Sequence, residues 1–418
     1  MTRVITAIRV TFRSLSIRNF RLYFVGQLIS QIGTWLTQIA LTLLMLHLTD
    51  SGVAIGFLVA CQFGPVLVFG AYGGVIADRA DKRRLLITTQ TLQMVQSFVL
   101  AAFAFMDHPP IGVFYATALA GGFILAFDNP VRRSFVSELV PEAEMHNAVT
   151  LNSAIMTSSR IFGPAIAGLL VVTAGYGWAF AVDGLSYLAV LTSLFMMRSS
   201  ELHASPRSTR GKGQIRDGLR YIRRVDELWV PMVMVAIIGA FTFNFAVTLP
   251  LFVKRSLDGS DGTYTLVYSV LSIGSFVGAL VAAHRHVVTV DHIVKASFGF
   301  GVTMCLLALS PNLAVAFPVA LVVGFTSIAF MATANAIMQV RADPVMRGRV
   351  LALQSMVLIG TTPIGGPLLG AVCEYIDARA GLIVGGVAAV AAAAWGRAHM
   401  RRSIVAASDD NMALVESV

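Results

Sequence analysis

The sequence predicts an all-α membrane protein of twelve transmembrane helices in two pseudo-symmetric six-helix halves. Three observations predict it. Of 418 residues 56% are hydrophobic and 13% are charged, against about 25% charged in soluble domains. Twelve apolar runs are long enough to cross a bilayer, which takes roughly 20 residues. A polar seam follows the sixth run, and patterns on its two sides look related.

The runs cover about 20–47, 53–77, 84–106, 110–130, 148–173, 177–198, 228–253, 263–283, 290–310, 313–340, 347–374 and 380–400. None alternates as a barrel strand does, and a helix satisfies its own backbone in lipid. The first run has full spanning length and lacks a small-residue cleavage site, so it reads as a span and not as a cleavable signal. Cys61, Cys305 and Cys373 show no metal spacing and read as buried thiols. His47, His108, His284 and His286 read as interfacial residues at membrane edges.

Charge predicts the orientation. With both termini in the cytoplasm, 27 of the 31 Lys and Arg fall on the cytoplasmic side, as the positive-inside rule requires. Lys254, Arg255 and Arg379 fall outside and Arg160 lies within a span. The net charge of +9 is thereby assigned to anionic lipid, with no nucleic acid partner.

The seam divides the chain into a basic N-terminal segment (1–19), an N-terminal bundle (20–198), a cytoplasmic linker (199–227), a C-terminal bundle (228–400) and a cytoplasmic tail (401–418). In the linker, Ile215, Leu219 and Ile222 recur at helical spacing, predicting a basic amphipathic helix on the inner membrane surface. An offset of 202 residues sets Leu151-Asn152-Ser153 on Leu353-Gln354-Ser355, and one further residue sets Gly163-Pro164 on Gly366-Pro367. Internal symmetry of this kind is expected of transporters.

The turn between the second and third runs reads GGVIADRADKRRLL, residues 73–86, with two acids and four bases between Asp78 and Arg84. Gly74 allows close helix approach, Asp78 can accept hydrogen bonds from another helix, and Arg79, Lys82 and Arg83 anchor the loop at the interface. The stretch resembles the signature loop of the major facilitator superfamily, with Asp81 where that family usually has Gly. Asp-Arg-x-Asp followed by bases resembles the branch that contains enterobactin-type siderophore exporters and macrolide efflux proteins, the transmembrane secretion effectors. Asn19-Phe20-Arg21, Leu48-Thr49-Asp50-Ser51-Gly52, Phe127-Asp128-Asn129-Pro130, Leu139-Val140-Pro141 and Asn147-Ala148-Val149 are similar to that branch too. The resemblance covers about 19–400. It implies the major facilitator fold and a gating role for Asp78 as a cytoplasmic latch.

Gly163-Pro164-Ala-Ile-Ala167-Gly168 in the fifth run is similar to an antiporter motif of the superfamily, although Ala167 replaces a Gly. Pro removes a helical hydrogen bond and small neighbours allow close packing, so a hinge and simple packing both remain open. The fourth run lacks the Arg of many superfamily antiporters, so proton coupling does not carry over from that template. The second-half copy of the signature loop, Gly278 to Arg285, has no matching acid.

Charges inside spans are costly and mark function by default. Asp128 and Asp183 are the proton-coupling candidates, Asp128 first because a desolvated carboxylate holds its proton more tightly. Arg160 is a substrate or gating candidate that could also pair with Asp183. In the resembled fold the first, seventh and tenth spans help line the cavity. Gln27, Gln31, Thr34 and Gln38 form one stripe of the first, Asn244 lies in the seventh, and Asn335 and Gln339 lie in the tenth. Trp35 and Phe241 could stack on a flat ligand. Amides among aromatics suit a bulky amphipathic molecule; helix–helix hydrogen bonding is the alternative.

No nucleotide loop, metal spacing or nucleophile triad occurs, so neither a cofactor nor an enzymatic activity is expected. The expectation is a monomeric secondary transporter of the cytoplasmic membrane. It exports amphipathic drug-, macrolide- or siderophore-like molecules by alternating access with proton antiport. An importer or lysophospholipid flippase of the same fold is one alternative, and a non-transporting sensor or accessory subunit is another.

Overall fold

The computed structural model describes residues 12–203, 214–283, 288–344 and 346–416, without the side chains of Ala71, Asp78, Gln214, Ile215, Ala283 and 403–416. Its described residues form helices and no strands. The six helices before the seam are α1 (Arg18–Thr49), α2 (Gly52–Arg79), α3 (Lys82–Ala104), α4 (Ile111–Leu139), α5 (Met145–Ala174) and α6 (Tyr176–Met196). A short helix α7 (Gln214–Arg224) precedes α8 (Asp226–Phe241), α9 (Phe245–Leu251), α10 (Asp261–Ala283), α11 (Val290–Ala308), α12 (Leu313–Arg341), α13 (Arg347–Tyr375) and α14 (Ala378–Glu416). Among the described residues, twelve helical segments are long and apolar enough to cross a membrane, with α8 and α9 joined in one of them.

Two compact units emerge: Met1–Asp50 with Phe57–Thr209 and Ser260–Ser269, and Ser51–Gly56 with Arg210–Gly259 and Val270–Val418. In the first, α1 packs on α5 and α6, and α3 packs on α4 and α6. Its core near the chain start gathers Phe20, Tyr23, Leu86, Phe135 and Leu194. Polar staples close that end. The Asn19 side chain donates to the Arg198 carbonyl (3.0 Å) and accepts from the Arg198 N–H (3.1 Å), while Arg13 pairs with Glu144.

In the second unit, α11 packs on α12 and α14, and α8 packs on α13 and α14. The run expected to span 228–253 unbroken is interrupted at Thr242–Asn244. The interruption is satisfied locally: Asn244 Nδ2 donates to the Ala240 carbonyl at 2.6 Å, replacing the backbone bond that a continuous helix would make there. Thr242 Oγ1 donates to the Gly385 carbonyl at 2.8 Å. The last helix continues to Glu416, past the expected end near 400, because no Gly or Pro follows Gly396 to stop it.

The linker helix α7 forms, but its apolar face meets protein. Ile222 is fully buried with Leu228, Met232, Met338, Val350 and Leu353, and Tyr221 Oη accepts from the Asp343 N–H at 3.0 Å. Leu219 alone of the described apolar residues on this face stays exposed. At the far end of the unit, Arg379 donates to the carbonyls of Ala308 (2.6 Å), Ser310 (2.8 Å) and Ser256 (3.2 Å). These include orphan carbonyls at the C-terminus of α11, where a cation is favoured.

Candidate functional site

The signature loop is built as an anchor. Asp81 is the N-cap of α3, and its Oδ1 accepts from the Arg84 N–H at 3.0 Å, which satisfies one of the helix's orphan donors. Lys82 is buried and bonds Glu138 of α4 at 2.6 Å. Arg83 donates to the carbonyls of Leu194 (2.8 Å) and Phe195 (3.2 Å) and to Ser199 Oγ (2.6 Å), so it ties α3 to the end of α6. Gly74 and Arg79 lie in the last turns of α2, and Arg79 is exposed. The Asp78 side chain, on which the latch expectation falls, lies outside the described residues, as do His284 and Arg285 of the second-half copy.

The three interior charges have three different environments. Asp128 is wholly buried in α4 and forms an ion pair with Arg132, four residues on. It also accepts from Thr89 Oγ1 (2.6 Å) and Gln90 Nε2 (2.9 Å) of α3. This carboxyl group is therefore engaged by a cation and two further donors.

Asp183, 1% exposed in α6, has no ion pair among the described residues. Its Oδ2 accepts from Thr37 Oγ1 of α1 (2.6 Å) and Ser97 Oγ of α3 (2.7 Å). The carboxyl reaches α1 because residue 33 is glycine: a Cβ there would stand 2.5 Å from Asp183 Oδ1. Ser186 Oγ, one turn on in α6, donates more weakly to Oδ1 at 3.4 Å, so all three partners of the carboxyl are hydroxyls, which can donate to a carboxylate or turn and accept from a carboxylic acid. The pairing with Arg160 that the sequence left open is not made; hydroxyls take its place. Thr37 and Ser97 were missed in the sequence because they lie far from Asp183 in the chain. Thr37, four residues after Gly33 and so on its helix face, carried the only local signal.

Arg160 sits half-way along the 30-residue α5, with no ion pair or hydrogen bond among the described residues and its Nε buried without a partner. In the same helix, Gly163 meets α1 where a Cβ would come 2.5 Å from Trp35 Cβ. Trp35 in turn meets Tyr268 at 5.8 Å between ring centres, with the ring planes tilted by 59°. Ala167 is buried and Gly168 lies against Thr265. The motif thus lies on a closely packed face, with Pro164 inside a continuous helix.

The amide stripe of α1 divides. Gln27 is buried with Nε2 unpartnered, whereas Gln31, Thr34 and Gln38 are half-buried. In the second unit, Asn244 spends its amide N–H on the helix break, and Asn335 and Gln339 are exposed on α12. Phe241 lines an apolar groove of about 330 Å³ with Ile383, Val384 and Val387. No group of three or more His, Cys, Asp or Glu suited to a metal occurs among the described residues.

Comparison with known proteins gives these features a family. The model of the transmembrane secretion effector family matches residues 9–414. The staphyloferrin A transporter of Staphylococcus aureus is 23% identical over 85% of this chain and 89% of its own. Macrolide efflux protein A of Streptococcus pyogenes is 22% identical over 83% and 87%. A bacterial homolog of the human lysosomal transporter Spinster shares the fold, with a TM-score of 0.71 at 14% identity over 90% of this chain and 95% of that one. The chain belongs to the transmembrane secretion effector family of the major facilitator superfamily, and is a membrane-spanning transporter of small molecules and not an enzyme.

Proposed function

We propose that this transporter exports amphipathic small molecules from the cytoplasm by proton antiport in an alternating-access cycle, with Asp183 as the proton-binding group. The observation that carries the coupling is the setting of Asp183, a buried carboxyl whose partners are hydroxyls and no cation. As an anion it accepts from Thr37 and Ser97. As an acid with its proton on Oδ2 it must donate there, so Thr37 or Ser97 turns to accept and the bonds joining α1, α3 and α6 are redrawn. A proton thus acts directly on helix packing, which an alternating-access cycle needs. Asp128, locked to Arg132, is the poorer proton site. The export direction is supported by relatives whose names specify efflux. Cytoplasmic termini are supported by the distribution of the bases, and Asp78 retains the cytoplasmic latch role.

The test is uptake of dyes, macrolides and siderophores into inverted vesicles, with and without an acid interior. Gradient-dependent accumulation is expected, and Asp183→Asn is expected to abolish the response to the gradient while downhill exchange persists. A normal gradient response in that variant would falsify the assignment of Asp183. Asp78→Asn is expected to insert normally, since the bases that set topology remain, and to lose flux; wild-type flux would remove the latch.

A further inference from the structure

We propose that Arg160 is the recognition point for a carboxylate on the transported molecule, held in the first compact unit beside the Trp35–Tyr268 ring pair. This rests on the reading of the chain as an exporter and names a chemical class for its substrate.

The first ground is charge. Asp128 has Arg132, and Asp183 can neutralise itself by taking a proton. A guanidinium stays charged at any pH a cell meets. Arg160, half-way along a membrane-crossing helix, therefore needs an anion, and the described residues supply none. An unpaired charge at that depth is costly, and such residues face a bundle interior or an aqueous cavity.

The second ground is the kind of polar group left over nearby. Buried polar atoms without partners are few in native proteins and call for an explanation. Apart from Arg18 Nη1 at the very start of α1, those in α1 and α5 are Gln27 Nε2, Ser30 Oγ, Ser159 Oγ and Arg160 Nε. Every one can donate a hydrogen bond, and the two nitrogens can only donate. The helices are in register for this. Gly163 against Trp35 fixes their contact, and both helices run in the same direction, four membrane crossings apart. At 1.5 Å per residue, Arg160 and Ser159 then lie about 4.5 and 6 Å before that contact, Ser30 about 7.5 Å and Gln27 about 12 Å before it. A carboxylate offers acceptors only and meets a guanidinium through two parallel bonds. Pro164 adds a local cause for polarity, since it cannot donate to the Arg160 carbonyl four residues back. The half-buried Trp35 ring one turn further on offers an apolar aromatic face, so the ligand class is an aromatic or amphipathic carboxylate.

The experiment measures binding to the purified full-length protein by two probes that share a flat ring system, 1-pyrenebutyrate and the neutral 1-pyrenebutanol. Ring fluorescence and thermal shift are the readouts. Wild-type protein is expected to bind the carboxylate at least tenfold more tightly. Arg160→Gln is expected to lose that preference with its affinity for the alcohol unchanged, and Arg160→Lys to keep part of it. Gln27→Leu should weaken the carboxylate a few-fold and leave the alcohol alone. Equal binding of both probes by the wild type, binding of neither, or equal weakening of both in folded Arg160→Gln overturns the proposal. Should Arg160→Gln not fold, an unchanged preference in Arg160→Lys together with an unchanged preference in Gln27→Leu overturns it. A carboxylate preference in a protein that accumulates nothing in inverted vesicles would sink the export reading and leave Arg160 as the anion site.

Discussion

The two compact units solve the same packing problem with different interiors. In the first, Lys82, Asp128 and Asp183 are buried, and Arg160 is half-buried mid-helix. In the second, the buried polar side chains among the described residues are neutral, Thr242, Asn244, Thr248, Ser297 and Gln354 among them. Its charges work at helix ends, where Arg379 gathers three carbonyls and Glu374 accepts from the Gly52 N–H (2.7 Å) and from Arg255 (3.3 Å). Buried charge is seldom the cheapest way to hold helices together, since apolar residues often do as well or better. Its restriction to one unit puts both proposed sites, Asp183 for a proton and Arg160 for an anion, in that same unit.

The largest expected effect breaks that contrast at its strongest point. Asp128→Ala strands the Arg132 guanidinium, mostly buried at 13% exposure, and should cost about 3 kcal/mol, as removing one partner of a buried pair does. Asp128→Leu with Arg132→Met should recover most of the loss, making this interior resemble the second unit's. Thermal unfolding of the purified variants decides it. A double variant as unstable as the single would mean that Asp128 acts through Thr89 and Gln90 and not through its charge.

A smaller effect sharpens the contrast between a hydroxyl on a carboxylate and one on a carbonyl. Thr37→Val removes a donor from Asp183, Thr242→Val one from the Gly385 carbonyl. Bonds to charged groups contribute about 1.5–3 kcal/mol and neutral ones about 1 kcal/mol. If Asp183 is ionised in the resting protein, Thr37→Val should be the costlier and should also alter the pH dependence of transport. Thr242→Val should cost about 1 kcal/mol and leave the pH profile unchanged. Equal costs with identical pH profiles would remove the proton role from the α1–α3–α6 cluster.

The spans were legible because bilayer thickness imposes a length and an apolarity that single runs reveal. The Asp128–Arg132 pair was legible in principle, since residues four apart share a helix face. Environments assembled from distant segments were not. Nothing near Asp183 announces Thr37 or Ser97, and nothing near Arg160 announces that it would be left without an acid. The break at Thr242–Asn244 was hidden because Phe, Thr and Asn amid apolar residues fit a span equally well, until the Asn side chain is seen to replace a backbone donor. The linker helix was legible as amphipathic, but periodicity gives a face and not its partner. Ile222 covers protein where lipid was expected.

The smallest effect concerns the start of each third helix. In the first half α3 is capped by Asp81, which stands where the superfamily usually has Gly. In the second half α11 begins at Thr289, whose N–H donates to His292 Nδ1 at 3.3 Å and whose hydroxyl lies 2.7 Å from the same nitrogen. Two chemistries thus perform one local task. If capping is all that Asp81 does, Asp81→Gly should cost only a few tenths of a kcal/mol, because Gly is itself tolerated at an N-cap, whereas Asp81→Ala should cost about 1 kcal/mol. Thr289→Ala should cost about as much as Asp81→Ala, and none of the three should change flux beyond the change in folded protein. Flux lost in Asp81→Gly at an unchanged unfolding temperature would show that the second acid of the loop belongs to the gate. The loop would then differ in function, and not only in cap, from its counterpart in the other half.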